Sequence, residues 1–419
     1  MQLRFGKQEI SFNPPSNVKW HVLQKDAPVI FKTEETIIQK AVNQLLTLLQ
    51  SKIHAGSKLL LIVPDHTRKC RLPIVLPLLL VELQKFQVEI EILVANGSHV
   101  LQPDHVIRDL VGEDVYTSIT VNQHDPRDEK MLDFFGKTFY GTEIYLNKKV
   151  KEADFIITIG GILFHYLAGF GGGPKMLMPG VAGYETIRQN HRLTLDIKTG
   201  QFHKDCYEGN IKTNPVYLDL SQVVKFVPQS TSLQFALNAK GEIVQAETGP
   251  ILETQEKLCA TVKNLYTLPI DHKADIVVAS AGGYPADVNL IQSHKSIHHV
   301  FQAVKPNGTI ILLAECPEGV GSKTFMPYFE EKSSTAIGRR LLNDYKINGH
   351  TALSLRSKAE KAQIFFVSKL EEHEVKQTGM FPCTTIDDAL FCATQELKGV
   401  NAKGYIFPNA NLYLPFVIN

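Results

Sequence analysis

The chain has 419 residues, too many for one ordinary hydrophobic core, so two domains are expected. Its 44% hydrophobic and 21% charged residues are those of a soluble globular protein. A formal net charge of +1, with Lys and Arg spread along the chain, argues against a nucleic-acid footprint and a polybasic membrane patch.

In chain order, the first residues lack the apolar stretch of a signal peptide and read as β structure, with Leu3/Phe5 and Ile10/Phe12 flanking Gly6-Lys7. Thr33 to Ser51 reads as a helix capped by Thr33, with Ile37, Ile38, Val42, Leu45, Leu46 and Leu49 on one stripe. Short apolar runs at Lys58–Val63, Val88–Ala95, Asp154–Ile159, Asp275–Ala279, Thr309–Ala314 and Gln363–Val367 are predicted strands. Helical patterns lie between several of them, which predicts an α/β fold, here two α/β domains with mostly parallel sheets. The most apolar run, Leu72 to Leu83, carries Pro73 and Pro77 and is too short to cross a bilayer. Six scattered cysteines with no Cys-x-x-Cys pair suit free thiols in a reducing cytoplasm. The polar, proline-bearing segment Thr267–Lys273 sets the expected boundary: residues 1–268 and 269–419, the last residues returning to pack on the first domain.

Ala153–Gly161 and Ala274–Gly283 resemble each other, both running from Ala-Asp through an apolar stretch into glycines. Ligands bind at the carboxyl ends of strands in open parallel sheets. Four predicted strands end in polar segments: Asp65-His-Thr-Arg68, Asn96-Gly-Ser-His99, Gly160-Gly161 leading to His165, and Gly282-Gly-Tyr-Pro-Ala-Asp287. Together they are read as one cleft. Each also has a structural reading. Asp65 and Arg68 suit a helix cap with a surface ion pair, His99 a turn, His165 a partly buried packing position and His191 the solvent face of a helix over Tyr184–Leu193.

The densest signal is Gly169-Phe-Gly-Gly-Gly-Pro-Lys175-Met-Leu-Met-Pro-Gly180, with His165 ten residues before Lys175 and His191 sixteen after. Glycines allow close backbone approach and the prolines direct the loop, while a lysine binds an anion or, desolvated, acts as a nucleophile. Pro174-Lys175-Met176 breaks the P-loop pattern, and Pro174 stands where a dinucleotide fingerprint needs its third glycine. Arg68, Lys175 and Lys295 suggest a small anionic substrate, and the imidazoles suggest proton transfer or metal binding.

At these residues the chain resembles the nickel-dependent lactate racemase family. The resemblance rests on His165-(ten)-Lys175-(sixteen)-His191 around Gly-Gly-Gly-Pro-Lys, and on Gly282-Gly-Tyr-Pro-x-Asp287 followed by Gln292-Ser-His-Lys295. It implies two α/β domains with the active-site cleft between them, and inversion at C2 of a 2-hydroxy acid by reversible hydride transfer to a nickel-pincer nucleotide, pyridinium-3-thioamide-5-thiocarboxylic acid mononucleotide. That cofactor would be anchored through Lys175, with Asp65, Gly172 and Gly173 beside it and His191 on the nickel. His99 and His165 would be the acid/base pair, and Arg68, Gln292 and Lys295 would hold substrate oxygens. Partners implied are the small 2-hydroxy acid and the proteins that build the cofactor, with no nucleic acid and no membrane.

Ile291 stands where lactate racemases have a tyrosine, and the only tryptophan is Trp20, so the preferred hydroxy acid stays open. The His294-Lys295 pair is a further local departure, and His350 is either a cleft residue or an ordinary loop histidine. Two other functions remain: a nucleotide-dependent 2-hydroxy acid oxidoreductase, and a non-catalytic cofactor carrier.

Overall fold

The computed structural model describes residues 1–25, 32–68, 70–395, 397 and 401–418. Continuous apolar runs such as Leu59-Leu-Leu-Ile-Val63 have no polar face to give to water, so they lie inside sheets covered on both sides. The chain divides into two α/β units. One gathers Ala27–Leu193 and Asp205–Leu265, the other Met1–Asp26, Thr194–Lys204 and Tyr266–Asn419.

The first unit has a six-stranded sheet in the order Ile243–Gly249, Ser230–Leu237, Phe155–Gly161, Lys58–Pro64, Glu89–Ala95, Thr120–Gln123. All neighbours are parallel except Ile243–Gly249, which runs antiparallel to Ser230–Leu237. The helix Glu34–Leu49, capped as expected by Thr33, buries Ile38, Val42, Leu45 and Leu49 in this unit's core. The apolar run after Arg71 is the helix Leu72–Gln84, which adds Leu72, Val75, Leu76, Leu79 and Leu83 to the same core. Its Pro73 occupies the first turn, where no backbone donor is needed.

In the second unit the order is Phe381–Cys383, Gln363–Val367, Val304–Leu313, Ala274–Ser280, Ala402–Phe407, Val18–Val22, all parallel. The two similar segments thus share a role, each supplying an interior strand flanked by parallel neighbours.

One expectation about domain membership is corrected. Residues 1–25 belong with the C-terminal sheet, because Val18–Val22 hydrogen-bonds along Ala402–Phe407. Gly404 admits that strand: a Cβ there would lie 2.4 Å from the Trp20 ring. At the end of the chain, Leu414–Val417 pairs with Thr267–Ile270 inside the second unit. Among the described residues no helix is long and apolar enough to cross a membrane.

Candidate active site

Three of the four polar strand ends lie side by side, at the carboxyl ends of Phe155–Gly161, Lys58–Pro64 and Glu89–Ala95 in the first unit. The fourth, Gly282–Asp287, follows Ala274–Ser280 in the other unit's sheet.

Asp65, directly after the Lys58 strand, is buried and accepts a hydrogen bond at Oδ2 from His99 Nδ1 at 2.5 Å. Its Oδ1 accepts from the backbone N–H of Thr67 at 3.2 Å and from Thr67 Oγ1 at 2.7 Å. Arg68 Nη1 donates to Thr67 Oγ1 at 2.8 Å. Burial pulls the Asp65 carboxyl upward, but His99, Arg68 and Thr67 together outweigh it and hold the group well below the usual carboxylate range. A surface ion pair does not describe this arrangement. The carboxylate expected beside the cofactor is bonded to an imidazole.

The His99 turn and the lysine loop are pinned to each other, Gly97 N–H donating to Gly180 O at 2.9 Å. Lys175 sits in a single 3-10 turn, Gly173–Met176. The residue is half-buried as a whole, but its amine is enclosed. Burial first, and then the positive charge of Arg68, lower its pKa to about 7. An amine of that pKa is substantially neutral near pH 7 and therefore nucleophilic.

The loop holds this shape because two of its glycines have left-handed backbones, φ +65° at Gly172 and +54° at Gly173. A Cβ at Gly172 would come within 2.5 Å of Ile162, and one at Gly173 within 2.6 Å of Gln255. Buried Gln234 accepts from Gly173 N–H at 3.1 Å, and buried Gln255 donates to Gly171 O at 3.0 Å. Neither glutamine stands out in the sequence. The signal for Gln234 is a lone polar residue in the apolar run Leu233-Gln-Phe-Ala-Leu237.

His165 belongs to a two-residue hairpin, Phe164–His165 against Gly169–Phe170, which leads into the lysine loop as Gly171 N–H donates to Leu163 O at 2.8 Å. Its Nδ1 accepts from the backbone N–H groups of Leu167 at 3.2 Å and Ala168 at 3.3 Å. His191 is buried near the end of the helix Tyr184–Arg192, not on its solvent face. Asn190 orients it. The Asn190 amide donates to Val216 O at 3.0 Å and Asp219 Oδ2 at 2.9 Å, so its oxygen faces His191 Nδ1 at 3.1 Å. In a neutral ring Nδ1 then carries the proton, which puts the lone pair on Nε2.

Gln292 and Lys295 lie on the helix Leu290–Val300 of the second unit, Lys295 donating to Gln292 at 2.5 Å. His350, on the helix Gly349–Ala359, is buried, stacks on Tyr345 and hydrogen-bonds its hydroxyl.

Residues 5–201 match the lactate racemase N-terminal domain and residues 270–411 the lactate racemase C-terminal domain. The chain is 31% identical over 339 residues to a lactate racemase of Thermoanaerobacterium thermosaccharolyticum, covering 79% of this chain and 78% of that protein. It is 30% identical over 272 residues to a lactate racemase of Lactiplantibacillus plantarum, covering 64% and 62% respectively. The solved lactate racemase apoprotein from T. thermosaccharolyticum superimposes with a TM-score of 0.88 over 99% of both chains. A Thermotoga maritima structure shares the fold at a TM-score of 0.71 and 15% identity. The chain belongs to the lactate racemase family, a family of isomerases.

Proposed function

We propose that the protein is a racemase that inverts C2 of lactate or a closely related 2-hydroxy acid. Carrying this reading is the Asp65–His99 pair, whose turn is pinned through Gly97 and Gly180 to the loop of a lysine that burial brings to a pKa of about 7. His99 and His165 are the proton-transferring groups, because the two enantiomers present their hydroxyls on opposite faces and each needs an acceptor of its own. Arg68 has the planar fork that holds a carboxylate in one orientation, so that only the other C2 substituents exchange places. Gln292 and Lys295 are assigned to substrate oxygens.

The residues present fit a nickel-pincer nucleotide: an enclosed amine of lowered pKa suits covalent attachment, and a histidine with Nε2 free of its proton suits one metal bond. Lys175 would anchor the group, His191 would bind the nickel, and Gly172 and Gly173 would let the backbone close on it, with Asp65 serving through His99. When bound, such a group supplies a reversible hydride acceptor. Proteins that build and load it are the implied partners. Four of the six free cysteines are buried, which suits a reducing cytoplasm.

The test uses protein made alongside the cofactor-building enzymes. Intact mass should show an adduct that Lys175→Ala lacks. Enantiopure lactate deuterated at C2 should emerge inverted with its deuterium retained. Net accumulation of keto acid would instead mark an oxidoreductase, and an undiminished adduct in the Lys175→Ala protein would remove Lys175 from its role.

A further inference from the structure

We propose that His99 and His165 are held in opposite tautomers, so that the neutral site carries one proton acceptor and one hydrogen-bond donor. The positioning groups are Asp65 on one side and the backbone N–H groups of Leu167 and Ala168 on the other. This rests on reading the two histidines as the acid/base pair.

At His99 the partner is an ionised carboxylate, which only accepts. Nδ1 must therefore carry the hydrogen, and Nε2 is bare. Asp65 cannot turn away, because its second oxygen takes both the N–H and the hydroxyl hydrogen of Thr67, and that hydroxyl oxygen accepts in turn from Arg68. At His165 the rule inverts. Backbone N–H groups only donate, so Nδ1 must present its lone pair and the neutral ring carries its hydrogen on Nε2. Those amides are fixed too. Leu167 O accepts from Asn214 at 3.0 Å, and Gly169, at φ +77°, packs so closely that a Cβ would lie 2.2 Å from Asn210 O.

A hydroxyl facing His99 meets a bare nitrogen and can lose its proton. A hydroxyl facing His165 meets an N–H, which binds its oxygen but leaves the proton in place. For His165 to accept at Nε2, its hydrogen must move to Nδ1, directly against the two amides. One enantiomer should therefore bind tightly and turn over slowly. Because enantiomers have equal free energy, kcat/KM must be the same in both directions, so kcat and KM fall by a common factor for that enantiomer.

The direct measurement is 15N NMR of histidine-labelled, cofactor-free full-length protein near pH 8, assigned with His99→Asn and His165→Asn. The expected result is a bare-nitrogen resonance for His99 Nε2 and for His165 Nδ1. Asp65→Asn, whose amide presents a donor to His99, should exchange the two His99 resonances while His165 keeps its own. The same tautomer in both rings overturns the proposal, as does an unshifted His99 in a folded Asp65→Asn protein. With the loaded enzyme, equal kcat for both enantiomers overturns it as well. Opposite tautomers without racemisation would sink the functional reading alone, since the NMR result does not depend on turnover.

Discussion

Two polar clusters in this molecule use the same residue types to opposite ends. In the first unit Asp65, His99 and Lys175 sit on loops after parallel strands, each half-open or facing a partner of defined charge. In the second unit His294, His298 and Lys358 lie inside helices and converge on the hydroxyl of Ser354, at 3.0, 3.4 and 2.7 Å. Burial first, then the charges of Lys358, His298, His350 and Lys295, hold the His294 pKa well below the usual imidazole value. Its ring stays neutral and joins two helices. The difference lies in the backbone: strand-end loops bring side chains of separate segments together, as Asp65 and His99 show, whereas a helix interior commits them to the neighbouring helix.

The sharpest way to break that comparison is to remove one imidazole from each cluster. His99→Ala should lower kcat by about 10²–10⁴-fold, the contribution usual for a positioned acid/base group. A loss below tenfold, measured on protein carrying full cofactor, would take His99 out of the chemistry.

Next in size is Gly173→Ala. The left-handed backbone and the 2.6 Å approach to Gln255 should cost about 1–3 kcal/mol and displace the lysine loop. Calorimetry reads the first effect and adduct mass the second; a variant as stable and as fully loaded as the parent would show that the loop tolerates a side chain.

The lysine offers a pH signature. Its pKa in the folded state, about 7, lies below the ordinary 10.5, so the unfolded chain binds the extra proton between those values and stability contributed by this residue rises with pH across that window. Lys175→Met should accordingly gain more melting temperature over the parent at pH 6 than at pH 9.5. Acylation of Lys175 followed by mass spectrometry should titrate with a midpoint near 7, while surface lysines respond only at higher pH. A midpoint near 10 would mean that the amine is solvated.

The smallest effect belongs to the second cluster. His294→Leu replaces a neutral, fully buried ring by an apolar side chain, and should leave kcat within about threefold while flattening the loss of stability below pH 6.5. The sign follows from the lowered pKa: the unfolded chain takes up the proton first, so acid favours unfolding. A hundredfold loss of turnover in a folded variant would move this seam into the site.

Much of the fold and part of the site are legible in the amino-acid order alone. Apolar runs mark both interior strands that resemble each other, and the helix beginning at Thr33 lies where its cap and stripe require. The glycine–lysine loop stands out because only a constrained backbone needs a run of glycines leading into a proline. His191 is harder to read: nothing in Tyr184–Arg192 indicates that this position faces inward, which depends on Asn190 reaching Val216 and Asp219.

By itself the sequence determined which segments are strands and helices, because periodicity and apolar runs are local properties. It also marked the residues on the strand-end loops, since glycine, proline and histidine there are poor choices for packing. Only the tertiary structure decided that Val18–Val22 joins the C-terminal sheet, that Asp65 serves His99, and that Gln234 and Gln255 hold the lysine loop. Each of those is a pairing between distant segments, and hydrogen-bond partners far apart in the chain leave no period in it to read.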